Sequence, residues 1–124
     1  TIQEAQEVEK LGELVKDFEE KLKKFNHGAA QLLFKMNQGP EKFLADASLF
    51  LDACGILIVG WMWLKQAFTA QKALEKGNPD QGFYFGKLET ARYFMEYEMI
   101  KIEGLLLRFH SNSFPTLEMK KEWF

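Results

Sequence analysis

Between residues 8 and 36 the chain places Val8, Leu11, Val15, Phe18, Leu22, Phe25, Ala29, Leu32 and Met36 at alternating gaps of three and four. A seam sustained over about four heptads commits the segment to one long helix with a single apolar face. Such a helix cannot bury that face alone, so the rest of the chain must supply its partners. The seam keeps phase through Asn26, His27 and Gly28, so the ~1 kcal/mol that glycine costs against alanine bends the helix at most. On the far side Asp17 precedes Lys21, Glu19 precedes Lys23 and Glu20 precedes Lys24 by one turn, the better orientation for exposed ion pairs. That face belongs to solvent.

Gly39-Pro40 closes this helix and opens the next, glycine suiting a helix end and proline a first turn. The second helix carries Phe43, Ala47, Phe50, Leu51, Cys54, Ile58, Trp61, Leu64, Phe68 and Leu74, and from Ala53 to Leu64 it is apolar or glycine on every side. A helix apolar all round is buried all round. The run is bounded by Asp52 and Lys65, well short of the ~20 residues that cross a bilayer, so no membrane span is expected. Ala53, Gly60 and Ala67, seven apart, form a stripe of small side chains where a neighbour can come close. EKGNPDQG then breaks the chain, with Gly77 as a left-handed cap, Pro79 forbidding continuation and Asp80 starting a third helix. Leu88, Ala91, Met95, Met99, Ile102, Leu106 and Phe109 form that helix's inner face, which ends at HSNSFP. Short connections make the helices antiparallel neighbours. The expected fold is all-α: one domain, residues 1–124, an up-down-up bundle of three long helices over about 2–37, 41–76 and 81–110, with an irregular tail over 111–124.

Several function classes drop out on composition. A net charge of -2 gives no electrostatic reason to bind nucleic acid. Cys54 is alone, which forbids an intramolecular disulfide and fits a reducing compartment; set among apolar neighbours it reads as core filler. The first residues, TIQEAQEVEK, lack a signal peptide's basic start and apolar stretch, so a cytoplasmic location is expected. The chain starts at Thr1 and enters helical periodicity at once, as a piece excised from a longer polypeptide would. A di-iron bundle needs Glu-x-x-His pairs, but Lys24 stands three before His27 and Leu107 three before His110. Two histidines and one cysteine make a poor zinc set, and no phosphate loop or nucleophile elbow occurs. No catalytic, cofactor-binding or metal residue is assigned.

Two constellations remain. Trp61 and Trp63 point about 200° apart on a helix, so one is expected inside the bundle and the other on a surface. Trp61 is assigned to the interior, and Trp63 to an interface with a second copy or another domain. Antiparallel register sets Asp52 level with His27 and within about one turn of Arg108, so His27, Asp52 and Arg108 are expected to form a structural polar layer, since a buried carboxylate needs a partner.

GWMWLKQAFTAQKAL (residues 60–74) and FYFGKLETARYFMEYEM (residues 83–99) resemble the C-terminal accessory helical domain of a branch of bacterial acyl-CoA dehydrogenases. The resemblance rests on Trp63 and Ala67, then Phe83, Tyr84, Gly86 and Lys87, then Ala91, Arg92, Tyr93 and Phe94, with an EWF end at Glu122 to Phe124. It covers Ala47 to Met99 well and the first helix only through its helical character. It implies a parent enzyme that removes hydrogens from the α and β carbons of acyl-CoA thioesters using FAD and a glutamate base, in a preceding core that this chain lacks. The chain would then be a non-catalytic appendage, without a cofactor of its own, packing against the dehydrogenase core or a partner subunit of a homo-oligomer. The alternatives are a stand-alone helical adaptor or oligomerisation module, and a small-ligand bundle built on the aromatic cluster.

Overall fold

The structure, a computed structural model, describes residues 2–124. Helix α1 runs Ile2–Phe34 and ends in a 3-10 turn, Lys35–Asn37. Gly39 then turns the chain at φ 147°, where a side chain would run into the Glu41 carboxylate. Pro40 opens the short α2 (Pro40–Leu44), and α3 (Ala47–Glu75) follows after Ala45 and Asp46. Gly77, at φ 73°, takes the left-handed position expected of it. Helix α4 (Gln81–Tyr93) continues through a π-helical turn, Phe94–Glu98, and a 3-10 turn, Met99–Lys101, into α5 (Ile102–Phe109). A short α6 (Pro115–Glu118) and a 3-10 turn, Lys121–Trp123, lie beyond. No strand occurs among the described residues.

Two buried clusters fix the directions of the helices. Leu11, early in α1, meets Leu64, Ala67 and Leu74 of late α3 and Leu88 of early α4. Leu32, late in α1, meets Ala53 and Leu57 of early α3 and Ile102, Leu106 and Phe109 of α5. Helix α3 is therefore antiparallel to both neighbours, and the fold is the all-α, up-down-up bundle that the periodicity implies. Ala53, Gly60 and Ala67 are all buried. A methyl on Gly60 would overlap the terminal methyl of Met99 and lie 3.4 Å from Phe94 and 3.5 Å from Phe18. The missing side chain is what lets α1 and the α4–α5 segment both close on α3 at one level. All seven residues expected on the inner face of the third helical segment are buried.

The run from Ala53 to Leu64 is not buried all round, since Ile58, Val59, Trp61 and Met62 are exposed because only two neighbours pack on α3, and three further features depart from the sequence reading. The segment from Pro40 to Leu74 is not one helix, because Asp46 leaves helical geometry at φ -114°, ψ 9° and separates α2 from α3. The tail is not wholly irregular, since Phe114 is buried and α6 follows it. The buried face of α1 is also rotated by one residue. Leu11 and Leu32 are buried and Phe18 and Phe25 pack on the core as expected, but Val8, Leu22 and Met36 are 49%, 38% and 47% exposed. Their places are taken by Leu14, Lys21, Gly28 and Lys35, again seven apart. The physical reason is α5, which approaches α1 on this side. A methyl added to Gly28 would lie 3.0 Å from Leu106, and the two lysines keep their stems inside while their ammonium groups find acceptors.

Candidate functional site

The polar layer forms around a different carboxylate. Asp52 is exposed, whereas Asp46 at the start of α3 is only 4% exposed. Arg108 Nε donates to Asp46 Oδ1 at 2.9 Å and to Oδ2 at 3.1 Å. Asp46 and Asp52 lie about one turn to either side of the level of Arg108, so register alone does not choose between them. The helix face does: Ala53 and Leu57 point inward and turn Asp52 out. His27 is exposed too, and its ring centroid lies 5.3 Å from that of His110, not beside Asp52.

Lys35, which the heptad seam leaves on the surface, is the second member of the real layer. Its Nζ donates to the Phe109 carbonyl at 2.7 Å and also to the Ser111 carbonyl. These are orphan acceptors at the end of α5, so the lysine acts as a cap from another helix. Burial pushes the Lys35 ammonium below the ordinary lysine range; Asp46 opposes that shift and Arg108 adds to it. The Phe114 ring lies 5.2 Å from Lys35 Nζ and 5.3 Å from the Arg108 guanidinium carbon, close enough for cation–π attraction. The cluster ties the chain beyond α5 to the end of the bundle. Burial also pushes the Cys54 thiol pKa up.

The two tryptophans are buried in the opposite order to the one expected. Trp63 is half-buried, packs on the Leu11–Leu64–Leu88 cluster and lies under Lys87 Nζ at 5.7 Å. Trp61 is 50% exposed, with Lys65 Nζ 4.3 Å above its ring. The reason is the α3 neighbourhood: α4 covers the side that Trp63 faces, while Trp61 falls on the flank beside α1. There Cys54, Trp61 and Phe68 recur every seven residues along α3, as Val8, Val15 and Leu22 do along α1. Val8, Leu22, Ile58, Trp61 and Phe68 are all exposed. Antiparallel register interleaves the two columns, so an apolar strip flanks the α1–α3 seam over much of its length.

The profile of a family described as "Acetyl-CoA dehydrogenase C-terminal like" matches residues 1–120. The chain belongs to that family. No curated protein and no solved structure matches it. This acetyl-CoA dehydrogenase C-terminal-like domain is thus all-α over its described residues, with an apolar strip on its surface. Its residues do not fit a flavin. The cleft of about 300 Å³ is an open trough walled by α3 and α4, and that of about 360 Å³ is an open trough at the end of α3 bounded also by Lys76 and Asn78 of the turn that follows. Helical backbone amides are already used within the helix, leaving no row of free donors for an isoalloxazine edge or a pyrophosphate.

Proposed function

We propose that the chain serves as the non-catalytic C-terminal helical domain of a flavin-dependent acyl-CoA dehydrogenase, packing against the dehydrogenase core or a partner subunit. In this reading FAD, the thioester and the base that takes the α proton all belong to the core, and a homo-oligomer is the expected assembly. Family membership supports the parent enzyme, and the exposed strip of Val8, Leu22, Ile58, Trp61 and Phe68 supports the packing role. A set of exposed apolar side chains along one seam points to a surface that something covers. Helix α3 is long and apolar enough to cross a membrane by length and composition. Its inner column nevertheless packs on α1 and α4, and Asp52, Lys65 and Lys72 interrupt its outer side, so the cover is read as protein.

The test is the double substitution Trp61→Ser with Phe68→Ser. Sedimentation is expected to show the wild-type chain binding the dehydrogenase core and the variant binding at least tenfold more weakly, with an unchanged circular dichroism spectrum. If the wild-type chain ignored the core and assembled only with itself, the stand-alone oligomerisation module would replace this reading.

A further inference from the structure

His27 and His110 are the only two histidines in 124 residues, and the fold brings them together. Their ring centroids lie 5.3 Å apart with the planes inclined by 37°. His27 belongs to α1 and His110 directly follows α5, so the pair is made by tertiary structure and not by local chain. Both residues are exposed, so burial of apolar surface does not explain why the rings meet. Gly28 keeps the approach open: a Cβ there would lie 3.9 Å from His110 Nε2, which puts that nitrogen on the side of α1.

The surroundings suit a cation that takes nitrogen ligands. The two rings share a cleft of about 170 Å³ with Lys24, Glu103, Leu106 and Leu107. Lys24 is tied to Glu20 and Glu103, Glu103 also meets Lys21, and Lys21 meets Asp17. That linked network holds three acids against two bases and does not repel a cation. A zinc ion held at ~2.0–2.1 Å by one nitrogen of each of two imidazoles, at a tetrahedral angle, sets the ring centres about 5 Å apart. The observed spacing therefore fits one shared ion without movement of either helix. Among the described residues no group of three histidine, cysteine or carboxylate side chains forms a fuller ligand set, so the other coordination positions fall to water.

We propose that His27 and His110 form a two-imidazole chelate for a divalent transition-metal ion of the zinc type, one ion per chain. The bound ion clips late α1 to the chain that leaves α5. Because its two ligands are remote in sequence, only the folded chain presents them together, and the ion stabilises the fold that it binds. Magnesium, a hard cation that prefers oxygen ligands, does not compete for such a site. The site uses α1 and the end of α5 and does not depend on what covers the α1–α3 strip.

The test is calorimetric titration of the full 124-residue chain, free of any polyhistidine tag, with zinc chloride in a non-chelating buffer at neutral pH, and with magnesium chloride as a separate arm. One saturable zinc site per chain is expected, with magnesium at least tenfold weaker. His27→Ala and His110→Ala, both at exposed positions, are each expected to weaken zinc at least tenfold with an unchanged circular dichroism spectrum. Cys54→Ser, which removes the only thiol, is expected to leave binding unchanged. Zinc at about a hundredfold over its dissociation constant should raise the melting midpoint of the wild-type chain by about 5 °C or more, and that of neither histidine variant. In concentrated urea the site should be lost. Absence of saturable binding, equal affinity for magnesium, full affinity in either histidine variant, or full affinity in the unfolded chain would each overturn the proposal.

Discussion

Asp46 and Asp52 are six residues apart on one stretch of chain, yet only one of them matters to the fold. Asp46 is buried and takes both hydrogen bonds from Arg108 Nε, so its loss leaves a half-buried guanidinium without its anion and removes the charge that helps hold Lys35. Asp46→Ala is expected to destabilise the chain by about 3 kcal/mol, and Asp52→Ala by no more than about 0.5 kcal/mol. Chemical denaturation of the two variants checks the difference. Gly60→Ala should cost about 1 to 2 kcal/mol, because the added methyl meets Met99, Phe94 and Phe18 together; a melt unchanged from wild type would mean that Met99 simply moves aside. Glycine at residue 60 was legible in the sequence because a stripe of small residues has one physical use in a buried helix. Asp46 was not legible, since the choice between two carboxylates at similar height depends on a helix break that no Gly or Pro marks.

Along α1 the heptad column was readable but its neighbour was not. Leu11, Phe18, Phe25 and Leu32 are shared by two overlapping seams, one completed by Val8, Val15, Leu22, Ala29 and Met36, the other by Leu14, Lys21, Gly28 and Lys35. Hydrophobicity favours the first; packing against α5 selects the second, because lysine stems can be buried if their ends are paired. Lys21 reaches Glu103 of α5 at 3.1 Å, and Lys24 reaches it at 3.2 Å. Burial acts to raise the Glu103 pKa, but hydrogen bonds from Lys21 and Lys24 and their charges hold it below the ordinary glutamate range. A carboxyl with a depressed folded pKa contributes stability that is present above the unfolded value and lost as pH falls through the folded one. Acid titration should therefore loosen the α1–α5 contact below the ordinary glutamate range. Glu103→Gln should remove that part of the pH dependence at a cost of about 1 kcal/mol or less, since the group is partly exposed. Thermal melts across the acid range check it. The inner face of α4 and α5 was fully legible, but its π-helical turn was not, since buried side chains on both sides of it still recur every three or four residues.

For the molecule as a whole, the number, order and direction of the long helices follow from seams and breakers that a sequence states openly. What it does not state is which apolar residues stay outside. Trp61 and Trp63 are alike in composition and nearly opposite in direction, and only the position of α4 decides that Trp63 is covered and Trp61 is not. Truncation should reflect this: Trp63→Ala is expected to cost about 2 to 3 kcal/mol of folding stability and Trp61→Ala about 1 kcal/mol, read from denaturant midpoints. The strip around Trp61 is where the proposed role of the domain stands or falls. The direct measurement is hydroxyl-radical footprinting of Trp61 and Phe68 in the isolated chain and in the parent dehydrogenase, with half-buried Trp63 as internal reference. Protection of Trp61 and Phe68 in the parent, with Trp63 unchanged, is the expected result; equal labelling of Trp61 and Phe68 in both states would contradict the account.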